Sequence, residues 1–307
     1  MMWLLLPLAA ALFLSLMQFT ENFIIDTWSK KLRPQNLKVS YLVFNAFGLL
    51  IFLALKGNEI FSQDFSPLVI WSIIGAGAVG SLAGIPYYAA FKKGDTTEIT
   101  LFAQVTPIIS LIMGVIFLGQ IPDVYQGIAF FLIMAAVATV VVGAGKRKIR
   151  AELGVGLTML AYCTLVVVSN VIFVSESSGV DSWLTYFFFV VLGNFVGNTV
   201  LVLVMKSWRA DAKQFWHGKK SQKFIALLGA SLLWWLSELT MRVGILILPL
   251  AIMAVTSTVL QLIITFILGI VLTLMWPKFG REKLTRKTII NHAIATCIAA
   301  IAIILLR

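Results

Sequence analysis

The chain has 307 residues, of which 60% are hydrophobic and only 12% are charged, and its mean hydropathy is +0.98. Soluble domains carry about 25% charged residues, so this composition excludes an ordinary soluble protein. The net charge of +11 would suggest a nucleic-acid partner in a soluble chain, but basic cytosolic loops explain it in a membrane protein, and we expect no nucleic-acid partner.

Ten apolar segments predict ten membrane-spanning helices. A helix needs about 20 apolar residues to cross a bilayer, whereas the strands of an outer-membrane barrel alternate apolar and polar residues over about 10. The segments here are continuously apolar, which predicts an all-α integral membrane protein. The predicted spans are residues 3–29, 38–56, 67–92, 97–119, 123–145, 152–175, 183–206, 222–246, 249–275 and 287–306.

Basic residues alternate between the two sides of the predicted bundle. The loops after spans 1, 3, 5, 7 and 9 hold 21 of the 24 lysines and arginines, and the other side holds only Lys56, Arg242 and Arg307. Because loops rich in Lys and Arg stay in the cytosol, both termini are predicted to lie outside. We expect a location in a bacterial cytoplasmic (inner) membrane, with its lipids as partners.

Proline and glycine positions predict where helices break and where they pack. Pro107 lies in the middle of span 4, where the missing N–H leaves a backbone carbonyl without its partner and breaks the helix. The pairs Gly80 with Gly84, and Gly193 with Gly197, are each four residues apart. This spacing lets two helix backbones approach closely, and packing is the expected role of all four.

Two acidic residues, Glu21 and Glu238, lie inside predicted spans. A carboxylate inside the bilayer costs about 2.5–3.5 kcal/mol on insertion scales, so it usually faces a cavity or a partner. A carboxyl group whose surroundings alternate can bind and release a proton, which makes both residues candidates for proton coupling and for substrate binding. The alternative for Glu21 is a structural role, in which it caps a neighbouring helix or hydrogen-bonds Asn170.

Arg242 follows Glu238 by four residues, which is the favourable order for an ion pair along a helix. The two side chains either neutralise one another, or Arg242 holds a substrate carboxylate while Glu238 faces an amine. The aromatic residues Tyr87, Tyr88 and Trp235 add ring faces at a similar depth, since Tyr88 and Glu238 are 150 residues apart. Aromatic rings beside an acid suit an organic amine.

Signatures of enzyme chemistry are absent from the sequence. His217 and His292 are the only histidines and lie near span ends, while Cys163 and Cys297 lie in apolar segments, which indicates neither a metal site nor a disulfide framework. The sequence also has no phosphate-binding loop. We therefore expect no enzymatic activity, no metal and no cofactor.

An offset of 150 residues relates the two halves of the chain, because it separates Gly94 from Gly244 and Gly119 from Gly269. Repeated halves in a very apolar chain are typical of secondary transporters. Two five-helix repeats are predicted, residues 1–147 and residues 148–307.

Several short motifs resemble those of the EamA domain in the drug/metabolite transporter superfamily. They are Gln104-Val-Thr-Pro107, Leu118-Gly119-Gln120, Tyr125-Gln-Gly127, Glu21-Asn22-Phe23 and its counterpart Ser169-Asn170-Val171. The resemblance implies two inverted five-helix repeats around a central cavity lined by spans 1, 3, 4, 6, 8 and 9. Asn22, Gln104 and Asn170, which lie in these motifs, complete the predicted substrate-binding set.

The sequence departs from this family at three points. Gln120 stands where members often carry Glu, and Ser257 stands at the position equivalent to Pro107 in the second half. The charge bias places the termini outside, whereas relatives are usually drawn with cytosolic termini, so the direction of transport does not follow from the resemblance.

These features predict a secondary transporter that moves a small polar organic metabolite, an amino acid or an amine, by alternating access. Proton coupling is a hypothesis, and the protein is expected as a monomer or homodimer. The alternatives are a flippase for a lipid or lipid-linked head group, which the scarcity of mid-span Lys and Arg disfavours, and a membrane scaffold or receptor.

Overall fold

The computed structural model of this protein describes residues 4–28, 35–62, 65–91, 96–143, 149–177, 183–206, 209, 221–276 and 286–305. Within these ranges the regular structure is helical, and no described residue lies in a strand. The helices are α1 (Leu5–Trp28), α2 (Gln35–Phe61), α3 (Pro67–Phe91), α4 (Thr96–Ala103), α5 (Thr106–Leu118), α6 (Val124–Gly143), α7 (Ile149–Glu176), α8 (Trp183–Val204), α9 (Ser221–Ile247), α10 (Leu250–Met275) and α11 (Arg286–Leu305).

The described helices follow the predicted spans one for one, except that span 4 is divided between α4 and α5. Six helical segments are long and apolar enough to cross a membrane by length and composition: Val39–Phe61, Pro67–Ala90, Gly154–Glu176, Trp183–Val204, Ile225–Ile247 and Leu250–Met275. Large apolar side chains such as Leu55, Trp71 and Phe131 are exposed on the outside of the bundle. The protein is an integral membrane protein, while the count of ten crossings, the inverted repeats and the position of the termini stay predictions.

Local sequence explains where several helices begin and end. The Oγ of Ser66 accepts a hydrogen bond from the backbone N–H of Val69 (3.3 Å) just before Pro67 opens α3. The side chains of Asp123 and Gln126 each accept a bond from the other's backbone N–H at the start of α6, which is a capping box. Gly119 ends α5 in the left-handed conformation, with φ 64°, where glycine carries no steric penalty.

The residue after that glycine links the two predicted halves. The side-chain oxygen of Gln120 accepts a hydrogen bond from the backbone N–H of Leu250 (3.1 Å), the first residue of α10. Leu250 is fully buried. Gln120 therefore caps the N-terminus of α10, a helix of the other predicted half.

A few pairs of helices make extensive contacts along their lengths. Helix α3 lies against α7 and α8, α1 lies against α9 and α10, and α6 packs along α11. Helix α2 contacts α8, and α5 lies between α7 and α10. The centre of the bundle is therefore surrounded by α1, α3, α7, α9, α10 and the divided pair α4 and α5.

Small residues make the crossing of α3 and α8 possible. A Cβ atom at Gly193 would lie 2.0 Å from the backbone oxygen of Ile74, and one at Gly197 would lie 2.1 Å from the Oγ of Ser81. These distances are far below van der Waals contact, so the predicted packing role is confirmed for both glycines. Gly80 and Gly84, the predicted packing pair on α3, line the central cavity.

Candidate functional site

A cavity of about 130 Å³ lies at the centre of the bundle, between the two predicted halves. Its wall comes mainly from α1, α3, α4, α5, α7, α9 and α10, which are the helices of the spans that the family resemblance implies. Helices α2 and α8 add one side chain each, Tyr41 and Asn194. Pockets for drug-sized ligands measure about 300–1,000 Å³, so this cavity suits a small solute.

Glu21 lies in the wall of the cavity, where several tyrosine side chains surround it. Its side chain is fully buried, and its carboxylate accepts hydrogen bonds from three tyrosine hydroxyls. Tyr87 donates to Oε2 at 2.9 Å, Tyr88 donates to Oε1 at 3.1 Å, and Tyr41 also donates to Oε1. Hydrogen bonds to a charged group are worth about 1.5–3 kcal/mol each, so the three hydroxyls together offset much of the cost of burying this carboxylate.

Aromatic rings from both predicted halves form the wall around this carboxylate. The rings of Tyr87 and Tyr162 lie 5.0 Å apart between centroids, and those of Tyr41 and Trp234 lie 5.4 Å apart. All four side chains line the cavity. Because an aromatic face attracts a cation, the acid and the rings form a surface suited to an organic ammonium group.

Glu238 and Arg242 form an ion pair in the cavity wall. The Nε of Arg242 donates to Oε1 of Glu238 at 2.8 Å, as the four-residue spacing predicts. The two Nη atoms donate to the backbone oxygen of Ser169 at 3.2 Å and to its Oγ at 2.7 Å. The guanidinium also lies over the ring of Phe173, 4.9 Å from its centroid. Arg242 therefore ties α9 to α7.

Glutamine side chains connect α1 to α4 and α10 beside the cavity. The Oε1 of Gln18 accepts hydrogen bonds from the Oγ1 of Thr100 (2.8 Å) and the Nε2 of Gln261 (2.9 Å). Gln18 and Gln261 line the cavity. Gln18 extends the polar surface of α1 by about one turn from Glu21, and Gln261 adds an amide from α10.

The fourth span is interrupted next to the cavity. Helix α4 ends at Ala103 and α5 begins at Thr106, one residue before Pro107. Its predicted counterpart α10 is continuous from Leu250 to Met275, with Ser257 at the position that the 150-residue offset makes equivalent to Pro107. The side-chain nitrogen of Gln104, at the interruption, donates to the backbone oxygen of Thr258 at 2.8 Å, so the broken helix is anchored to the unbroken one.

The structure brings together five of the nine predicted substrate-binding residues. Those that line the cavity are Glu21, Tyr87, Tyr88, Glu238 and Arg242.

Three other predicted residues are placed differently, and the side chain of Asn22 lies outside the described residues. Gln104 and Asn170 are buried but do not line the cavity. Trp235 points toward α2, where its Nε1 donates to the Oδ1 of Asn45 at 2.8 Å. It packs there against Phe52. Its neighbour Trp234 faces the cavity instead, because adjacent residues on a helix point in directions about 100° apart.

Sequence reasoning did not select Tyr41, Tyr162 or Asn194 as site residues. Tyr41 and Tyr162 each stand in an apolar span, and a tyrosine there has a hydroxyl that needs a partner, which is the signal that points to them. Among the described residues, no group of three or more His, Cys, Asp or Glu side chains could hold a metal ion.

Comparison with known proteins gives a family for the first half and a fold for the whole chain. The family model described as the EamA-like transporter family matches residues 1–142. No curated protein matches the chain. Twenty-eight chains of solved structures match it. One, titled only "Crystal structure of protein", is 16% identical with a TM-score of 0.66 and covers 99% of this chain and 97% of its own. At that identity the likeness shows the fold alone.

Proposed function

On the premise that this chain belongs through residues 1–142 to the EamA-like transporter family, we propose a transport function. The domain that defines this family is that of the drug/metabolite transporter superfamily. The protein is a secondary transporter that moves a small polar organic metabolite, an amino acid or an amine, by alternating access. Its substrate site is the central cavity, and Glu21 couples transport to protons.

The packing of the helices supports two repeats with equivalent roles. If α7 is the counterpart of α1 and α9 the counterpart of α3, the contact of α1 with α9 corresponds to that of α7 with α3. The contact of α1 with α10 likewise corresponds to that of α7 with α4 and α5. A cavity enclosed by such paired contacts can open alternately to either side when one half rocks against the other.

The arrangement around Glu21 is the observation that carries the proposal. A fully buried carboxylate in the wall of a membrane cavity is costly, and here it sits among hydroxyl groups of Tyr41, Tyr87 and Tyr88. A tyrosine hydroxyl both donates and accepts. The same three groups can therefore stabilise Glu21 as a carboxylate or, after one hydroxyl turns, as a carboxylic acid.

Proton and substrate then compete for one carboxylate. A substrate ammonium group between the carboxylate and the rings of Tyr87, Tyr162 and Trp234 is stabilised by charge and by cation–π contact. A proton on Glu21 removes that attraction. Binding of one releases the other, which is the requirement for exchange of protons against substrate.

The pair of Glu238 and Arg242 takes a mainly structural role in this proposal. Three of the five N–H donors of the guanidinium are used by Glu238 and Ser169. A substrate carboxylate would have to bind the remaining donors beside the Glu238 carboxylate. An amine is therefore favoured over an anion. A flippase for phosphate head groups is disfavoured because Arg242 is the one Lys or Arg in the described cavity wall.

The test is flux into liposomes that contain the purified protein, with a panel of amino acids, amines, sugars and nucleosides, with and without a pH gradient. We expect gradient-dependent transport of one solute class, seen as current for a zwitterionic amino acid or as electroneutral uptake for a monovalent amine, and we expect Glu21→Gln to lose it. Glu59→Gln is the matched control, since Glu59 lies on the exposed end of α2 beside Lys56, and it should transport normally.

Other outcomes separate the alternatives. If gradient-driven transport is lost in Glu238→Gln but not in Glu21→Gln, then Glu238 is the proton-coupling residue instead of Glu21. If no solute of the panel is transported, measured both as current and as electroneutral counterflow, the transport proposal is contradicted and a flippase or a scaffold is favoured.

A further inference from the structure

We propose that the amide side chains of Gln18, Gln261 and Asn194 form a neutral subsite that binds an uncharged carboxamide or hydroxyl group of the solute. This inference rests on the proposed transport function and adds to its substrate class. The solute would carry such a group in addition to the ammonium group that Glu21 attracts.

Gln18 and Gln261 leave one donor group and one acceptor available at the cavity. Their mutual hydrogen bond uses the Nε2 of Gln261 and the Oε1 of Gln18. In the part of the chain that the structure describes, the Nε2 of Gln18 and the Oε1 of Gln261 have no hydrogen-bond partner. Both side chains line the cavity although they are 2% and 1% exposed. Their remaining polar atoms are therefore available to a molecule in it.

Asn194 supplies a third amide from α8. It is 2% exposed and lines the cavity, and none of the described residues hydrogen-bonds its side chain. The close crossing of α3 and α8 brings it near Gly80, where a Cβ atom would lie 3.7 Å from the Oδ1 of Asn194 and 3.3 Å from the Oγ of Ser169. The absence of a side chain at Gly80 keeps this amide accessible.

Neutral amides select solutes differently from Glu21. They contribute no net charge, so they recognise a group by the direction and type of its hydrogen bonds. A buried polar group that is left without a partner is unfavourable. A site built with such groups therefore discriminates against an analogue that lacks the matching polar atom.

The experiment compares two matched pairs of probes on the purified full chain in detergent. The pairs are glycinamide with n-propylamine and L-glutamine with L-norvaline, and the melting temperature is followed as each probe is titrated. We expect the carboxamide member of at least one pair to bind about tenfold more tightly, as one well-made hydrogen bond allows. Asn194→Ala and Gln261→Leu should each abolish this preference.

A buried amide that does not line the cavity provides a matched control. Asn198 lies one turn from Asn194 on α8, so Asn198→Ala should keep the preference. Equal affinity within both pairs, with flux in liposomes intact, would overturn this inference and leave the transport function standing. Neither binding nor flux for any solute would overturn both. The affinities of the paired probes are compared on the wild-type protein, so this part of the test does not depend on whether a variant folds.

Discussion

Glu21 and Glu238 face the same cavity, but the protein holds them in different ways. Glu21 is fully buried and accepts hydrogen bonds from the hydroxyls of three tyrosines. The side chain of Glu238 is 23% exposed and is paired with the guanidinium of Arg242, whose side chain is 4% exposed. Each arrangement makes a carboxylate tolerable inside a membrane protein, and each responds differently to a proton.

The difference lies in the partners. A tyrosine hydroxyl can reverse from donor to acceptor, whereas an arginine in a protein stays protonated and only donates. A proton on Glu238 would leave the positive charge of buried Arg242 without its counter-charge. Protonation of Glu21 requires only that one tyrosine hydroxyl rotate, so that its oxygen accepts a hydrogen bond from the carboxylic acid. The two acids therefore suit different tasks: Glu238 neutralises Arg242, which in turn joins α9 to α7 through Ser169, whereas the surroundings of Glu21 suit a change of protonation.

Removal of Arg242 should produce the largest effect on stability. Arg242→Leu leaves the Glu238 carboxylate unpaired in the cavity wall, and breaking a buried ion pair in this way costs about 3–5 kcal/mol. The free energy of unfolding in mixed detergent micelles would measure it. The double variant Arg242→Leu with Glu238→Leu should recover part of the loss, because no lone charge remains. Equal stability of the single and double variants would contradict the structural role of the pair.

Removal of one hydroxyl from the Glu21 centre should have an intermediate effect. Tyr87→Phe keeps the ring contact with Tyr162 but loses a hydrogen bond to a carboxylate, which is worth about 1.5–3 kcal/mol. In the Glu21→Gln background the same change should cost about 1 kcal/mol, since the bond is then between neutral groups. A double-mutant cycle in unfolding measures the difference, with exposed Tyr125→Phe as the control. A coupling energy near zero would show that the hydroxyl does not stabilise Glu21.

Ser169→Ala should produce the smallest effect. Arg242 loses the Oγ acceptor on α7 but keeps the backbone oxygen of Ser169 and the carboxylate of Glu238, so we expect a loss of about 1 kcal/mol. Ser175→Ala, on the exposed end of the same helix, should change the unfolding free energy less. A loss as large as that of Arg242→Leu would mean that Ser169, not Glu238, is the principal partner of Arg242.

The helices were predictable because the bilayer imposes one length and one composition on every span. Each predicted span coincides with a described helix, and Pro107 marks the span that is divided. The ion pair of Glu238 and Arg242 also followed from local spacing, since residues four apart on a helix are neighbours whatever the tertiary structure is.

The lining of the cavity was predictable only in part. The acids were identified because a charge inside a membrane span must face a cavity or a partner, and the adjacent tyrosines Tyr87 and Tyr88 were selected with them. Trp234 lines the cavity and the predicted Trp235 does not, and the sequence could not separate them because the two differ only in direction around the helix. Tyr41 and Tyr162 were missed because nothing nearby in sequence shows that Tyr41 bonds Glu21 or that Tyr162 packs against Tyr87.

The sequence by itself therefore determined the membrane class, the position of the helices and the two acids on which the proposed chemistry depends. Tertiary structure alone decided which tyrosines bond to Glu21, that Arg242 also reaches Ser169, and that Asn194, at the crossing of α3 and α8, lines the cavity. The physical reason is that a membrane helix is apolar both toward lipid and toward its neighbours. Hydrophobic periodicity consequently does not reveal which face turns inward, and only the packing of the helices settles their rotation.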